Sequence, residues 1–135
     1  MKLDNIAGTN AICAFGNKLA STGLSETAAR AAGVDVASSY YSDNDRPEFM
    51  GSAEEVGVKL VFDKKTLRLI GAQIGSYGDT SHTECIFYLA LAVQKQMTLL
   101  ELATTDVYFL PHFNKPFNFI ISAILQALGI NYMKH

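Results

Sequence analysis

The segment that best combines reactive and rigid residues is FLPHFNKPFNFI, residues 109–120. His112 lies in it between Pro111 and Phe113, where an imidazole can hydrogen-bond a ligand or donate a proton near neutral pH. The prolines restrict their own backbone and that of the residue before them. No Ser, Cys, Asp or Glu accompanies His112 at a motif spacing, so the residues alone predict no triad. The segment is either a site of chemistry or a rigid apolar anchor.

Two further stretches resemble ligand sites only in part. IGSYGDTSHTE (74–84) follows a predicted strand and opens a predicted helix, where backbone N–H groups can hold a phosphate, yet its glycines do not follow G-x-G-x-x-G. HTEC (82–85) starts like a zinc-deaminase signature but lacks the P-C-x-x-C partner. Helix capping and core packing account for the same residues, so we predict no metal site.

The cysteines, Cys13 and Cys85, lie far apart in apolar surroundings. No C-x-x-C pair is present, and free cysteine is among the most buried residue types. We expect core thiols rather than a disulfide or a redox pair.

Composition limits the function classes. The chain has 135 residues, 49% of them hydrophobic and 18% charged, with a net charge of −2. This length favours one domain, and the scattered charges provide no basic stripe for nucleic acid or anionic lipid. The longest apolar run, Cys85–Val93, is far shorter than the ~20 residues of a membrane span. We expect a soluble, cytoplasmic protein.

The first half of the chain has the patterns of strands. We predict a strand over 11–23, a short helix in LSETAARAAG capped by Ser25 and ended by Gly33, and a strand in VDVASSYYSD. After a loop at 43–55, VGVKLVFD and LRLIGAQIG form a hairpin around KKT. Residues 1–9 are a tail or linker remnant, and residues 10–135 form the domain.

The second half has the patterns of helices. Ser81 with Glu84, and Thr98 with Glu101, predict capping boxes ahead of two helices. A final helix should begin near Pro116 and end at Gly129. The layout predicts an α+β fold, with a small antiparallel sheet of about four to five strands packed against helices.

Two of these helices are apolar nearly all round. The run Cys85–Val93 should be buried on more than one side, and the last helix has few polar positions. One small sheet can hardly cover both. The surplus apolar surface therefore belongs either to an internal core or to an interface with another subunit or domain.

Four segments, KLASTGLSETAARAAG, YSDNDRPEFM, GVKLVFDKKTLRLIGAQI and FLPHFNKPFNF, closely resemble the C-terminal dimerisation domain of FAD-dependent pyridine nucleotide-disulfide oxidoreductases. The branch of NADH oxidase, NADH peroxidase and coenzyme A disulfide reductase is the most similar. The match covers about residues 10–130. It implies a homodimer and preceding FAD- and NAD-binding domains that carry the redox-active cysteine, which neither Cys13 nor Cys85 matches.

The resemblance places the loop Leu110, Pro111, His112 and Phe113 at the flavin site of the partner subunit. In the glutathione-reductase branch an acid-base histidine and glutamate occupy the positions of Leu110 and Lys115, so that pair is absent. In the coenzyme A disulfide reductase branch a tyrosine occupies the position of Phe113. His112 is then only a weak catalytic candidate. The expected interface residues are Phe109, Phe113, Asn114, Pro116 and Phe117.

The resemblance implies the dimerisation domain of an NADH oxidase that passes hydride from NADH through FAD to oxygen. It does not say whether the product is water or peroxide. A stand-alone module that binds a small anion at the glycine-rich stretch is the alternative from the residues, and a small hydrolase using His112 is a third hypothesis that needs a nucleophile or carboxylate within hydrogen-bond reach.

We predict that the 135-residue chain purified alone has no flavin absorbance and does not consume NADH. The reason is that these residues contain no dinucleotide-binding fingerprint, while the cofactor performs the redox step. An absorption spectrum and an NADH assay check this, and stoichiometric bound flavin would contradict it.

Overall fold

The computed structural model describes residues 7–79, 81–115 and 117–129. Five strands form one antiparallel sheet in the order β1-β2-β5-β4-β3. The strands are β1 (Asn10–Ala14), β2 (Asn17–Gly23), β3 (Val36–Asn44), β4 (Glu55–Asp63) and β5 (Leu69–Tyr77). The predicted α+β fold with a small antiparallel sheet is confirmed.

Helices cover the two faces of the sheet unequally. They are α1 (Glu26–Ala31), α2 (Ile86–Gln94) after a 3₁₀ turn (Thr83–Cys85), α3 (Leu99–Ala103) and α4 (Phe119–Ala127). Alternate residues of β4 (Val56, Val58, Leu60) are buried in one cluster with residues of α2, α3 and α4. Ala29 of α1 packs on the opposite face with Val36 and Val61. The main core therefore lies between one sheet face and three helices.

Several local predictions are confirmed. The Ser25 side chain accepts a hydrogen bond from Ala28 N–H, and Gly33 follows α1 with a positive φ of 81°. Thr98 and Glu101 form the predicted capping box of α3. Residues 64–68 connect β4 and β5 as a hairpin whose turn is at the predicted KKT (64–66), and Gly129 follows α4 with a φ of 79°.

The predicted single strand over 11–23 is wrong, because the segment folds into a hairpin of β1 and β2. The chain reverses at Phe15 and Gly16, which both have positive φ. Such two-residue turns favour Asn-Gly or Asp-Gly, and a phenylalanine rarely adopts this conformation. The apolar side chain therefore concealed the turn.

Two helix starts also differ from prediction. The Ser81 hydroxyl bonds that of Thr83, and no side chain caps the 3₁₀ turn. The last helix begins at Phe119, because the Asn118 side chain accepts from Ile120 N–H. Pro116, the predicted start, and residues 1–6 of the predicted tail lie outside the described residues.

The run Cys85–Val93 is buried against the main core on one side only within this chain, so its burial on a further side, against another subunit or domain, stays a prediction. Ile86, Leu89 and Ala92 are buried, but Phe87 is 65% exposed and Leu91 51% exposed. Phe87 and Leu91 are four positions apart, so they form one apolar stripe on α2. Within the described part of the chain, no helix is long and apolar enough to cross a membrane.

Replacing Gly71 with alanine should destabilise the domain by more than about 2 kcal/mol, because overpacking against rigid backbone cannot relax. A Cβ at Gly71 would overlap the backbone carbonyl of Leu24. Urea unfolding measures the effect. Gly51→Ala is the matched control, because a Cβ at Gly51 meets open space. Equal stabilities of the two variants would contradict this packing.

Candidate functional site

The loop singled out by the sequence forms a tight turn. The N–H groups of Phe113 and Asn114 donate to the Leu110 carbonyl at 2.8 and 2.9 Å. The Asn114 side chain completes the turn from inside: its Oδ1 accepts from Leu110 N–H at 2.9 Å, and its Nδ2 donates to the Tyr108 carbonyl at 2.8 Å. Asn114 is only 5% exposed. The turn shape is therefore set by an internal amide and not only by proline.

The outer surface of this segment is apolar and exposed. Phe113 is 56% exposed and contacts Tyr108 edge-to-face at 6.3 Å between ring centroids. His112 is exposed as well, and Pro111 is half-buried. The exposed large apolar residues of the segment are Val107, Tyr108, Phe109, Leu110, Phe113 and Phe117. A continuous exposed run of this kind on a braced turn is typical of a binding or interface surface.

Lys115 bonds to the sheet instead of pointing to the loop surface. Its Nζ lies 2.8 Å from Asp43 Oδ1, and the Tyr41 hydroxyl donates to Asp43 Oδ2 at 2.9 Å. Partial burial alone would raise the pKa of Asp43, but hydrogen bonds from Lys115, Tyr41 and Asn44 N–H outweigh it and hold the pKa below its usual value. Asp43 is thus ionised at neutral pH and holds Lys115.

A second carboxylate, Asp45, is inaccessible to solvent and has several donors. His82 Nε2 lies 2.8 Å from Asp45 Oδ2, and Arg46 Nη2 lies 2.9 Å from the same oxygen. Glu54 N–H donates to Asp45 Oδ1 at 2.9 Å. Burial would raise the pKa of Asp45, but the donors of Glu54, His82 and Arg46 more than offset this and lower it.

The Asp45 cluster and the loop form walls of one cavity. The cavity has a volume of about 230 Å³ and is lined by Arg46, His82, Tyr108, Phe113, Asn114 and Phe119, among others. His82 also contacts Phe119 edge-to-face, with ring centroids 5.3 Å apart. The 3₁₀ turn before α2 and the start of α4 are thereby joined next to the loop.

The glycine-rich stretch does not have the form of an anion site. Gly75 lies within β5, and the carboxylate of Glu54 lies against Gly78 and accepts from Asp79 N–H at 2.8 Å. A carboxylate already bonds an N–H group that a phosphate would need, so this alternative receives no support from the geometry.

The thiols and the HTEC residues have no metal or redox arrangement. Cys85 is half-buried, and burial raises the pKa of its thiol, which disfavours the reactive thiolate. Cys13 is exposed on β1, so the expectation of a core thiol is wrong for it. Among residues 7–79, 81–115 and 117–129, no group of histidine, cysteine and carboxylate side chains could hold a metal ion.

Sequence patterns predicted the loop but not its supports. His82 was assigned to helix capping and core packing, whereas its imidazole bonds Asp45, which precedes it by 37 positions in the chain. The alternation of charged residues in DNDRPE (43–48) was the available signal, but it does not say which partner each charge takes.

The expected interface residues Phe109, Phe113 and Phe117 are exposed, Asn114 is buried inside the turn, and Pro116 lies outside the described residues. Their roles at an interface stay predictions.

Comparison with family models gives a match over residues 10–118 to the pyridine nucleotide-disulphide oxidoreductase dimerisation domain. The chain belongs to this family. The resemblance predicted from the four sequence segments is therefore confirmed, and the described fold accounts for nearly all of the matched range.

Relatives of this dimerisation domain include NADH oxidases. Those of Mycoplasma pneumoniae and Mycoplasma genitalium are each 59% identical over 132 residues, which cover 98% of this chain and 27% of the relative. The solved water-forming NADH oxidase from Lactobacillus brevis, bound to NADH, superposes with a TM-score of 0.86 at 31% identity, over 92% of this chain and 27% of that one. The chain thus spans about a quarter of the length of these proteins.

The free energy of unfolding should fall as the pH drops from about 5 to 3, and Asp45→Asn should make this fall less steep by removing one of the contributing carboxylates. The folded-state pKa of Asp45 is lowered. Its stabilisation is therefore present above the unfolded-state pKa and is lost as the pH falls through the folded-state pKa. Urea unfolding at several pH values measures this. Asp106→Asn, at an exposed position, should keep the wild-type profile, and an equally steep profile for Asp45→Asn would contradict the assignment.

Proposed function

We propose that this domain pairs with a second copy in an FAD-dependent NADH oxidase and that its loop Leu110–Phe113 completes the flavin site of the partner subunit. The observation that carries the proposal is the exposed apolar turn with its internally bonded Asn114. A surface that is already ordered loses little conformational entropy on docking. The names of the relatives supply the oxidation of NADH, and the family resemblance supplies the route that we propose, hydride transfer from NADH through flavin to oxygen.

Exposed apolar surface elsewhere supports pairing with other protein. Phe87 and Leu91 form a stripe on α2, and Ile12, Leu19 and Tyr40 are exposed on the sheet. Apolar surface of this kind marks protein interfaces more often than free solvent-facing surface. A two-fold dimer is the default symmetry of a homo-oligomer. The FAD- and NAD-binding domains of the complete polypeptide are the second set of partners that we propose, in a cytoplasmic enzyme.

The described residues fit a wall of a flavin site better than a complete cofactor site. Leu110 and Phe113 offer apolar edges suited to a flat ring system, and His112 is exposed beside them. The flavin, when bound, supplies the redox chemistry. The part of this domain is to shape one side of the site, limit water and present the His112 imidazole as a hydrogen-bonding group, since no carboxylate stands beside it at motif spacing.

His112→Ala in the complete polypeptide should lower turnover by less than the ~100-fold or more expected on loss of a principal acid-base group. Dimer assembly should not change, because His112 is exposed and the turn is held by Asn114. Steady-state kinetics and sedimentation measure the two effects. A loss well beyond 100-fold with the dimer intact would show that His112 is a principal catalytic group.

A mixed dimer tests which flavin site the loop serves. One subunit has the family's redox-active cysteine disabled in the FAD-binding domain, and the other has His112→Trp in this loop. If the loop acts across the interface, both defects fall on one site and the other site stays active, so about half of the activity remains. Lys65→Trp, an exposed change on the β4–β5 turn at the far end of the sheet, is the control. Complete inactivity of the assembled mixed dimer, with the control active, would show that the loop serves its own subunit.

A further inference from the structure

The end of β3 bonds the segment that follows the loop. Side chains alternate along a strand, so Tyr41 and Asp43 project from the same face. Tyr41 packs against the main core, which places both residues on the face covered by α2, α3 and α4. Lys115 reaches this face from the loop, with its Nζ 2.8 Å from Asp43 Oδ1. One carboxylate of the sheet thus meets one ammonium of the loop segment.

The Asp43 carboxylate is fully engaged and well ordered by its neighbours. Oδ2 accepts from the Tyr41 hydroxyl at 2.9 Å, while Oδ1 accepts from Asn44 N–H at 2.8 Å as well as from Lys115. The Lys115 side chain is 20% exposed and that of Asp43 27% exposed. Because Tyr41 and Asn44 already hydrogen-bond the Asp43 carboxylate, this carboxylate has little freedom to move. Lys115 Nζ can therefore bond it in only one place.

Lys115 directly follows Asn114, so two consecutive side chains hold the loop in different ways. Asn114 bonds residues of the loop to one another and determines the shape of the turn. Lys115 bonds the end of the loop to β3 and determines where the finished turn lies relative to the sheet. The bonds of Asn114 lie within the loop, so they do not connect the turn to β3, whereas the bond of Lys115 does.

We propose that the Asp43–Lys115 pair positions the loop Leu110–Asn114, and through it Leu110 and Phe113, for the reaction of the complete enzyme. This inference rests on the proposed function, in which the loop completes a flavin site. Asp43 and Lys115 act as positioning residues, since they bond each other and not the reacting groups.

Removing the Asp43–Lys115 pair is expected to affect activity and folding stability to different degrees. A partly exposed ion pair contributes only about 0–1 kcal/mol to folding, so its loss leaves the domain folded. A displacement of about 1 Å at a reactive site can cost on the order of 100-fold in rate. Removing the pair should therefore change activity far more than it changes unfolding.

The test uses four variants of the complete flavoprotein: Lys115→Met, Lys115→Arg, Asp43→Asn and the control Lys65→Met. Met keeps the length of the lysine side chain without its charge, and Arg keeps the charge and can still donate to Asp43. Lys65 is exposed on the turn at the other end of the sheet. The readouts are kcat and KM, flavin fluorescence, dimer mass, urea unfolding and hydrogen exchange at the amides of Phe113 and Asn114.

We expect Lys115→Met and Asp43→Asn to lower kcat by roughly 5- to 100-fold, to shift flavin fluorescence and to speed exchange of both amides, with the dimer intact. Lys115→Arg should stay within about twofold of the wild type, and Lys65→Met should not differ from it. A merely structural pair would change unfolding but neither the fluorescence nor the kcat of the folded dimer. The Asp43→Asn variant keeps the test decisive if Lys115→Met does not fold.

Three contrary outcomes are distinguishable. If both Lys115→Met and Asp43→Asn keep wild-type amide exchange and kcat, the positioning role is overturned. The proposed function would then still be tested separately by the mixed-dimer experiment. Faster amide exchange with unchanged kcat and fluorescence would overturn the inference about the reaction and also count against the loop's place at the flavin. A loss in Lys115→Arg as large as that in Lys115→Met would overturn the ion pair as the cause.

Discussion

The burial of alternate residues of β4 beneath three helices is the constraint on which the rest of the structure depends. Val56, Val58 and Leu60 occupy one face of the strand and are almost completely inaccessible to solvent. Because side chains alternate, a slip of one residue in the pairing would move this whole set to the opposite face. The register of β3 against β4 is therefore strongly determined, with Asp43 opposite Val56. The polar contacts of the candidate site follow from this register.

Two buried or partly buried carboxylates connect that sheet to the helical layer. Asp43 bonds Lys115, just before α4, and Asp45 bonds His82, just before the 3₁₀ turn that leads to α2. A buried charge is tolerated only when it is paired and hydrogen-bonded, and both carboxylates meet this condition. Across the described ranges, no buried side-chain nitrogen or oxygen lacks a partner. The apolar core supplies the driving force for packing, and these bonds specify where the starts of the helices lie.

At the surface, several apolar side chains are exposed while some polar side chains are buried. Large apolar side chains are exposed on the β1–β2 hairpin, on α2 and on the segment 107–117, while polar groups that would ordinarily face solvent are drawn inward at Asn114 and Asp45. Such a distribution is costly for an isolated domain and favourable for one that is covered by other protein. It agrees with membership of a dimerisation-domain family in which this chain spans about a quarter of the length of its NADH oxidase relatives.

The sequence alone determined the elements whose causes are local. Ser25, Thr98 with Glu101, and the KKT turn act through neighbours within a few positions, so their caps and their hairpin could be predicted. The family was also readable, since its segments occur in order along the chain. The small sheet against helices followed from the change of pattern between the two halves.

The tertiary structure alone decided which residues meet across long separations. His82 with Asp45, and Lys115 with Asp43, are pairs whose members are each plausible surface residues, and no spacing rule selects one partner among the other charges. The Phe15–Gly16 turn was hidden for a local reason, a phenylalanine at a position where such turns favour Asn or Asp. The exposure of Phe87 and Leu91 was hidden because it depends on which surfaces the packed chain leaves uncovered. Apolar residue type predicts burial on average, but whether a given side chain is covered depends on which surfaces the packed layers leave free.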